Sequence, residues 1–283
     1  MLDRVFSNMW RPTSELDGDE LSVDITHLEK KFQYAFIPFL RHDAYKFLIH
    51  MMNGLIRETV DPEVFKKWKK DEKNYDVIKF SKTGVLNQSF AMLSGASFRC
   101  KKGHESRKLS SSLFLNLHTL GGVRSLDELC RNEFGRKKAH HYCRECGEEV
   151  RGTYRRKLVT LPKTLFIVVD RFDSGSHLKN LLSAVPKSLD LWDHLNEENQ
   201  DMGVDTKYLL SGFICQDPIH LDYSTYLANK KREAKNQSHD WTCFSKRGIG
   251  KLSDATLFEG NSLPHNAQIL LYKKVVRESK KSD

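Results

Sequence analysis

Four residues of the types that zinc takes as ligands stand in two short segments of the sequence. Cys100 and His104 lie in CKKGH, and Cys143 and Cys146 lie in CRECG. The C-x-x-C spacing lets two thiolates face one ion across a tight turn, and the upstream pair completes a set of three sulfurs and one imidazole. Because that set leaves no position for water, the sequence predicts a structural zinc at the tip of an extended hairpin. The alternative is an exposed loop histidine with free thiols, since Gly103 and not a cysteine stands third after Cys100.

The sequence shows none of the features that indicate secretion or insertion into a membrane. Six cysteines in 283 residues, unevenly spaced, are too few for a disulfide scaffold. Cys215 and Cys243 stand in apolar strand patterns, which is typical of inert core thiols. The first residues lack the apolar core of a signal peptide, and the sequence has no run of eighteen apolar residues. We therefore expect an intracellular protein of the cytoplasm or nucleus that does not contact membranes.

The formal net charge of +9 raises the question of an acidic partner. Lysines and arginines occur in many short groups such as KKWKKDEK and GRKKAHH, often beside acids, and few aromatic residues alternate with them. Stacking platforms for bases need such aromatics. The pattern favours a solvated surface over a nucleic-acid footprint and leaves protein partners open.

The periodicity of apolar residues predicts an α+β fold. Asp43 is a candidate N-cap for a helix over AYKFLIHMMNGLIRE, and SLDELCRNEF predicts a second, short helix. The runs SFAML, SFRC and LFLNLHT predict strands interrupted by glycines. From Lys157 onward the strand signals are separated by polar loops, which predicts a mainly antiparallel sheet.

One predicted hairpin presents a carboxylate at its mouth. GFICQ and YSTYLAN are two short apolar runs joined around Asp217 and Pro218. Asp222 stands directly before the second run and is a candidate site residue.

Several motifs, in a fixed order, resemble those of the ubiquitin-specific proteases, the papain-like cysteine deubiquitinases. They cover about residues 33–274 and are RHDAYKFLIHMMNGL, FSKTGVLNQSFAMLSGASFRCKKGHES, CRECG, LVTLPKTLFIVVDRF, LKNLLSAVPKSLDL, YLLSGFIC, WTCF and AQILLYKK. The resemblance implies a papain-like fold with a partial thumb (33–96), zinc-ribbon-like fingers (97–153) and an antiparallel β palm (154–274). Residues 1–32 would be a leader and 275–283 a basic tail.

The catalytic positions of that family carry other residue types here. The family motif G-H-Y-x-x-Y falls on residues 221–226, so Asp222 replaces the histidine that acts as general base. Ser245, followed by Lys246, stands where the family has the acid or amide that orients that histidine. The cysteine segment G-x-x-N-x-G-N-T-C has no counterpart upstream of Arg41. Because a carboxylate repels the thiolate that must attack, the replacement opposes catalysis. His220 and His239 are nearby, and we interpret both as loop or edge histidines.

The resemblance also marks a groove for the ubiquitin tail. Asp43 is retained at the position that contacts the tail, whereas Arg41, Lys46 and Gln216 replace a glutamine, a glutamate and a histidine, and Tyr223 stands beside the catalytic position. Cations near a basic tail cost affinity, at an exposed rim about 1 kcal/mol or less each. The alternative is that Arg41 and Lys46 are ordinary solvated positions.

Three functional hypotheses follow. The first is a catalytically inactive pseudo-deubiquitinase that serves as a binding or scaffold module for ubiquitin, a ubiquitin-like protein or other proteins. The second is a piece of an active cysteine deubiquitinase whose cysteine segment lies elsewhere. The third is a basic, zinc-containing adaptor for nucleic acid or ribonucleoprotein, which a salt-dependent affinity would distinguish from the other two.

Overall fold

The computed structural model describes residues 43–70, 83–119, 124–170, 182–216, 222–229, 240–260 and 263–275. The chain divides into two compact units, residues 1–58 and 59–283. None of the helices in the described ranges is both long and apolar enough to cross a membrane.

Helix α1 (Ala44–Thr59) is the described element of the first unit. Its buried side chains recur at helical spacing along one face: Leu48, Met52, Leu55 and Ile56. The backbone N–H of Lys46 donates to Asp43 Oδ1 at 3.0 Å, so Asp43 caps the first turn. The predicted helix start is confirmed, and residues 33–42 of the same apolar pattern lie outside the described residues.

The second unit begins with two helices and continues mainly as strands. Its helices are α2 (Pro62–Lys70), α3 (Val85–Phe90), α4 (Leu126–Phe134) and α5 (Glu197–Asp201). Its strands are β1 (Met92–Cys100), β2 (Glu105–Ser112), β3 (Phe114–His118), β4 (Arg124–Ser125), β5 (Lys137–Cys143), β6 (Glu148–Thr160), β7 (Thr164–Asp170), β8 (Leu182–Ala184), β9 (Ser188–Asp190), β10 (Lys207–Gln216), β11 (Tyr223–Ala228), β12 (Trp241–Ser245), β13 (Gly248–Leu252) and β14 (Ala267–Lys274).

A four-stranded antiparallel sheet has the order β2-β1-β6-β5. The strands β1 and β5 both pair with the long strand β6, and each ends in a turn at the same end of the sheet. Cys100 is opposite Gly152, and Cys143 is opposite Glu148. This topology brings together two turns that are about forty residues apart in sequence.

An eight-stranded sheet has the order β13-β12-β11-β10-β14-β7-β3, and β9 pairs with β10. All its pairs are antiparallel except β3 with β7, which confirms the prediction of a mainly antiparallel sheet. One face packs into the main hydrophobic core together with α4, and this core includes Leu126, Leu129, Leu165, Ile167, Phe213 and Leu270. Two buried tyrosines anchor loops to it, since Tyr208 Oη donates to Pro162 O at 2.6 Å and Tyr272 Oη to Pro186 O at 2.7 Å.

Local sequence signals set the limits of α4. Ser125 Oγ accepts from the Glu128 backbone N–H, and the Glu128 carboxylate accepts from the Ser125 N–H, which together form a capping box. The predicted short helix is confirmed. The run SFAML differs from its prediction as a separate strand, because Phe90 ends α3 and the strand begins at Met92 and continues without interruption to Cys100.

Candidate functional site

The first ligand turn joins β1 to β2. The Cys100 N–H donates to His104 O and the Gly103 N–H donates to Cys100 O, both at 3.0 Å. Gly103 has a φ of 89°, in the left-handed region where a side chain is disfavoured. Gly103 stands where a second cysteine was expected, and glycine is the residue type that this turn favours.

The second ligand turn joins β5 to β6 and is built in the same way. The Gly147 N–H donates to Cys143 O at 2.9 Å, and Gly147 has a φ of 75°. The turn holds Cys143, which is buried, and Cys146, which is half-buried, on its inner side.

The side chains of these two turns form one cluster. The ligand atoms of Cys100, His104, Cys143 and Cys146 all lie within 4.8 Å of one another. His104 Nδ1 lies 3.7 Å from Cys143 Sγ and 3.3 Å from Cys146 Sγ. Tetrahedral zinc with its usual bond lengths separates sulfur from nitrogen by about 3.5 Å. The cluster is suited to zinc, as predicted, and the reading with an isolated loop histidine is not supported.

The thiols of the cluster perturb one another. Burial by itself would raise the pKa of Cys100, but hydrogen bonds from the backbone of His104 and Lys102 and from the neighbouring thiols outweigh it, so the pKa of Cys100 is lowered. Burial, together with hydrogen bonds to Cys143 and Cys100, raises the pKa of Cys146 to about 11. Zinc binds cysteines as thiolates, so binding of zinc by this cluster would release the thiol protons.

A small apolar cluster lies beneath the ligand group. Phe98 is buried beside Cys100 and Cys143, with Val150 and Tyr154 packed against them. His141 lies with its ring centroid 5.1 Å from that of Phe98 and 5.6 Å from that of Tyr154. This packing separates the cluster from the main core and fixes the relative position of the two turns.

Asp222, the predicted counterpart of the family's general base, lies in an ion pair. Asp222 directly precedes β11, and Lys246 Nζ lies 3.9 Å from its Oδ2. The pair is exposed, with 41% of the aspartate side chain and 79% of the lysine side chain accessible. Ser245 is engaged in the β12–β13 turn, where its Oγ donates to Gly248 O and accepts from the Arg247 N–H, both at 3.3 Å.

The sequence identified both residues of this pair but not their contact. Asp222 and Lys246 are 24 residues apart, and the pairing of β11 with β12, with Thr225 opposite Phe244, brings them together. Knowledge of the register between β11 and β12 would have revealed this contact.

The remaining thiols lie in regular elements of the second unit. Cys215 is buried in β10 and Cys243 is half-buried in β12, in agreement with the sequence prediction. Cys130 is fully buried in α4, and burial raises its pKa to about 12. A thiol in that state is a poor nucleophile at neutral pH.

The predicted groove residues are only partly described. Asp43 and Lys46 form the first turn of α1 in the first unit, while Gln216 and Tyr223 lie opposite each other where β10 and β11 meet in the second. Arg41, His220 and His239 lie outside the described residues.

The chain belongs to the ubiquitin carboxyl-terminal hydrolase family, whose model matches residues 1–272. The fold is the α+β, papain-like fold of that family, as the sequence motifs predicted.

Solved structures with a similar fold include the SAGA deubiquitinating module Ubp8/Sgf11/Sus1/Sgf73 bound to monoubiquitin, with a TM-score of 0.62 and 16% identity over 88% of this chain and 52% of that chain. The same module bound to ubiquitin aldehyde matches with a TM-score of 0.61 and 16% identity, over 88% of this chain and 52% of that chain. A yeast SAGA module with a mutant Sgf73 matches with a TM-score of 0.61 and 16% identity, over 83% of this chain and 51% of that chain. The chain therefore spans about half the length of the solved chains that it matches. No curated protein matches it.

Proposed function

We propose that this protein is a catalytically silent member of its family that acts as a binding module for ubiquitin, a ubiquitin-like protein or another protein. The ion pair between Asp222 and Lys246 at the hairpin mouth carries the proposal. Where the active members of the family have an imidazole, this chain has a carboxylate already paired with an ammonium group.

The chemistry of acyl transfer explains why this exchange opposes catalysis. A cysteine nucleophile needs a base that takes its proton and later returns that proton to the leaving amine. A carboxylate beside the thiol disfavours the thiolate and holds no proton for the amine. The third group, which orients the base, is replaced by Ser245, whose hydroxyl serves the adjacent turn.

An active enzyme is the second candidate, favoured by one observation. His104 Nδ1 lies 3.3 Å from Cys146 Sγ, a distance at which an imidazole can activate a thiol. Three thiols converge on this one imidazole, however, and zinc bound by all four groups would leave none of them free to react. The metal-site reading therefore accounts for more of the cluster.

Two of the similar solved structures are bound to ubiquitin or ubiquitin aldehyde, and at 16% identity they share the fold of this chain. A ubiquitin-like or other protein partner is consistent with that shared fold. On this proposal Asp43 would still contact the basic tail of such a partner, and the cation of Lys46 would weaken that contact. The protein would retain the shape of a deubiquitinase and use it for recognition.

A ubiquitin probe with a thiol-reactive C-terminal group tests catalytic silence on the natural full-length protein. We expect no covalent adduct with the unmodified protein or with Asp222→His, because Ser245 and Lys246 cannot orient a restored imidazole as a carboxylate or amide does. An active deubiquitinase, treated in parallel, controls for the probe. An adduct with the unmodified protein, mapped by mass spectrometry to any cysteine, would contradict the proposal, and an adduct at Cys146 would favour the second candidate.

A further inference from the structure

The positive charge of the protein is concentrated in the four-stranded sheet and its two turns. Residues 99–112 and 137–157 contain twelve lysines and arginines and four glutamates, a net charge of +8, whereas the whole chain has +9. These 35 residues therefore carry nearly the entire excess, although short basic groups also occur elsewhere in the sequence.

The alternation of side chains divides these residues between two faces of the sheet. One face contains the packed rings of Phe98, His141 and Tyr154. The residues that alternate with these rings along each strand point to the opposite side of the sheet. Gly95 is one of them, and a Cβ added to it would lie 3.6 Å from Leu109 Cδ2 on that side. We call this opposite side the basic face, and its cations are Arg99, Arg107, Lys138, Arg151, Arg155 and Lys157.

Acidic residues neutralise the basic face only in part. Glu105 lies 3.5 Å from both Arg99 and Arg107, so one carboxylate serves two guanidinium groups. Lys138 and Arg151 form no ion pair with any residue that the structure describes. Two further cations have partners in the segment around α5, since Arg155 Nη1 lies 4.0 Å from Glu197 Oε1 and Lys157 Nζ donates to Asp193 O. The face itself carries six cations and two glutamates, Glu105 and Glu149, so it keeps a net positive charge.

An aromatic side chain stands among these cations. Tyr142 is 60% exposed in β5; it is opposite Glu149 in β6 and lies two residues from His140, which is opposite Arg151. An exposed ring of this kind is a stacking platform for a base. In the linear sequence this tyrosine is remote from the arginines of β1 and β2, which is why sequence order alone disfavoured a nucleic-acid surface.

We propose that the basic face binds single-stranded nucleic acid, with phosphates on its arginines and a base stacked on Tyr142. Cations two residues apart along a strand are separated by about 6.7 Å, and those on adjacent strands by about 4.8 Å. Such a two-dimensional array suits a polymer with a phosphate on every unit, and the guanidinium fork binds phosphate oxygens in pairs. This inference is independent of the proposed ubiquitin-family function.

Fluorescence anisotropy with a labelled 15-nucleotide single strand, titrated at several salt concentrations, tests this site. We expect binding that weakens as salt rises, because each neutralised phosphate contributes about −0.7 to the slope of log K against log salt for single strands. Arg107→Ala with Arg151→Ala should weaken binding about tenfold and make the slope shallower by about 1.4. Tyr142→Leu should weaken binding with little change in the slope.

The matched control is Lys108→Ala with Lys207→Ala, which removes the same charge. Lys108 follows Arg107 directly but points to the opposite face of β2, and Lys207 is an exposed residue at the start of β10. This control should bind with nearly unchanged affinity. Equal loss in the two double variants would show that net charge alone acts and would overturn the proposal. Tighter binding of a labelled polyglutamate peptide of the same length would overturn it in favour of an acidic protein partner.

Discussion

Asp43 combines a structural contact with a position that suggests recognition. Its carboxylate caps α1 through the Lys46 N–H at 3.0 Å, and its charge is favourable at a helix N-terminus. The family resemblance assigns the same carboxylate to a contact with the basic ubiquitin tail. A substitution that keeps the cap but removes the charge therefore separates the two roles.

We expect Asp43→Asn to leave the free energy of unfolding nearly unchanged, because asparagine caps helices as well as aspartate does. The same variant should weaken ubiquitin binding up to about fivefold, as expected for one exposed charge. Asp43→Ala should lose both properties and destabilise the protein by about 1 kcal/mol. Shifts of α1 amide signals on addition of ubiquitin measure binding, and denaturant unfolding measures stability. Unchanged binding by Asp43→Asn would limit this residue to its cap.

At the scale of elements, close contact between strands shapes the four-stranded sheet. Gly152 lies opposite Cys100, and a Cβ added there would lie 2.3 Å from Arg99 O and 2.5 Å from the ring of Phe98. Gly95 in the adjacent strand β1 is different, because its Cβ would meet two side chains at an ordinary 3.6 Å. The two glycines make a natural pair for measuring the cost of crowding.

We expect Gly152→Ala to destabilise the protein by about 1–3 kcal/mol, because the added methyl group meets backbone that cannot move aside. Gly95→Ala should change the free energy of unfolding by much less, since the side chains of Leu109 and Val159 accept ordinary contact. Thermal or denaturant unfolding of both variants checks this difference. Equal free energies of unfolding for the two variants would mean that β1 and β6 can move apart at little cost.

The elements also show which features the sequence could predict. The limits of α1 and α4 depend on capping residues within three positions, and both were predicted correctly. The start of β1 depends on where α3 ends, and the alternating letters of SFAML concealed that limit. The contact between Asp222 and Lys246 and the common direction of the cations depend on strand register, which no local pattern states.

At the scale of the whole second unit, two apolar clusters are separate. The main core lies on the eight-stranded sheet and includes Leu270 and Tyr272 of β14, whereas a small cluster around Phe98 lies beneath the ligand turns. A cluster of so few apolar side chains buries too little surface to hold two turns by itself. The metal ion would supply the missing stabilisation at this end only.

Loss of that ion should loosen the two ligand turns and leave the main core intact. Purified protein should contain about one equivalent of zinc, and Cys143→Ser should lose it, because the ion then lacks one of its four ligands. Hydrogen exchange should then accelerate at residues 100–104 and 143–147, while β14 keeps its protection because the main core does not depend on the metal. Cys243→Ser is the matched control, since it removes a half-buried thiol outside the ligand group and should retain zinc. Metal-free protein with fully protected turns would contradict a structural role for zinc, and loss of protection throughout β14 would contradict the independence of the two clusters.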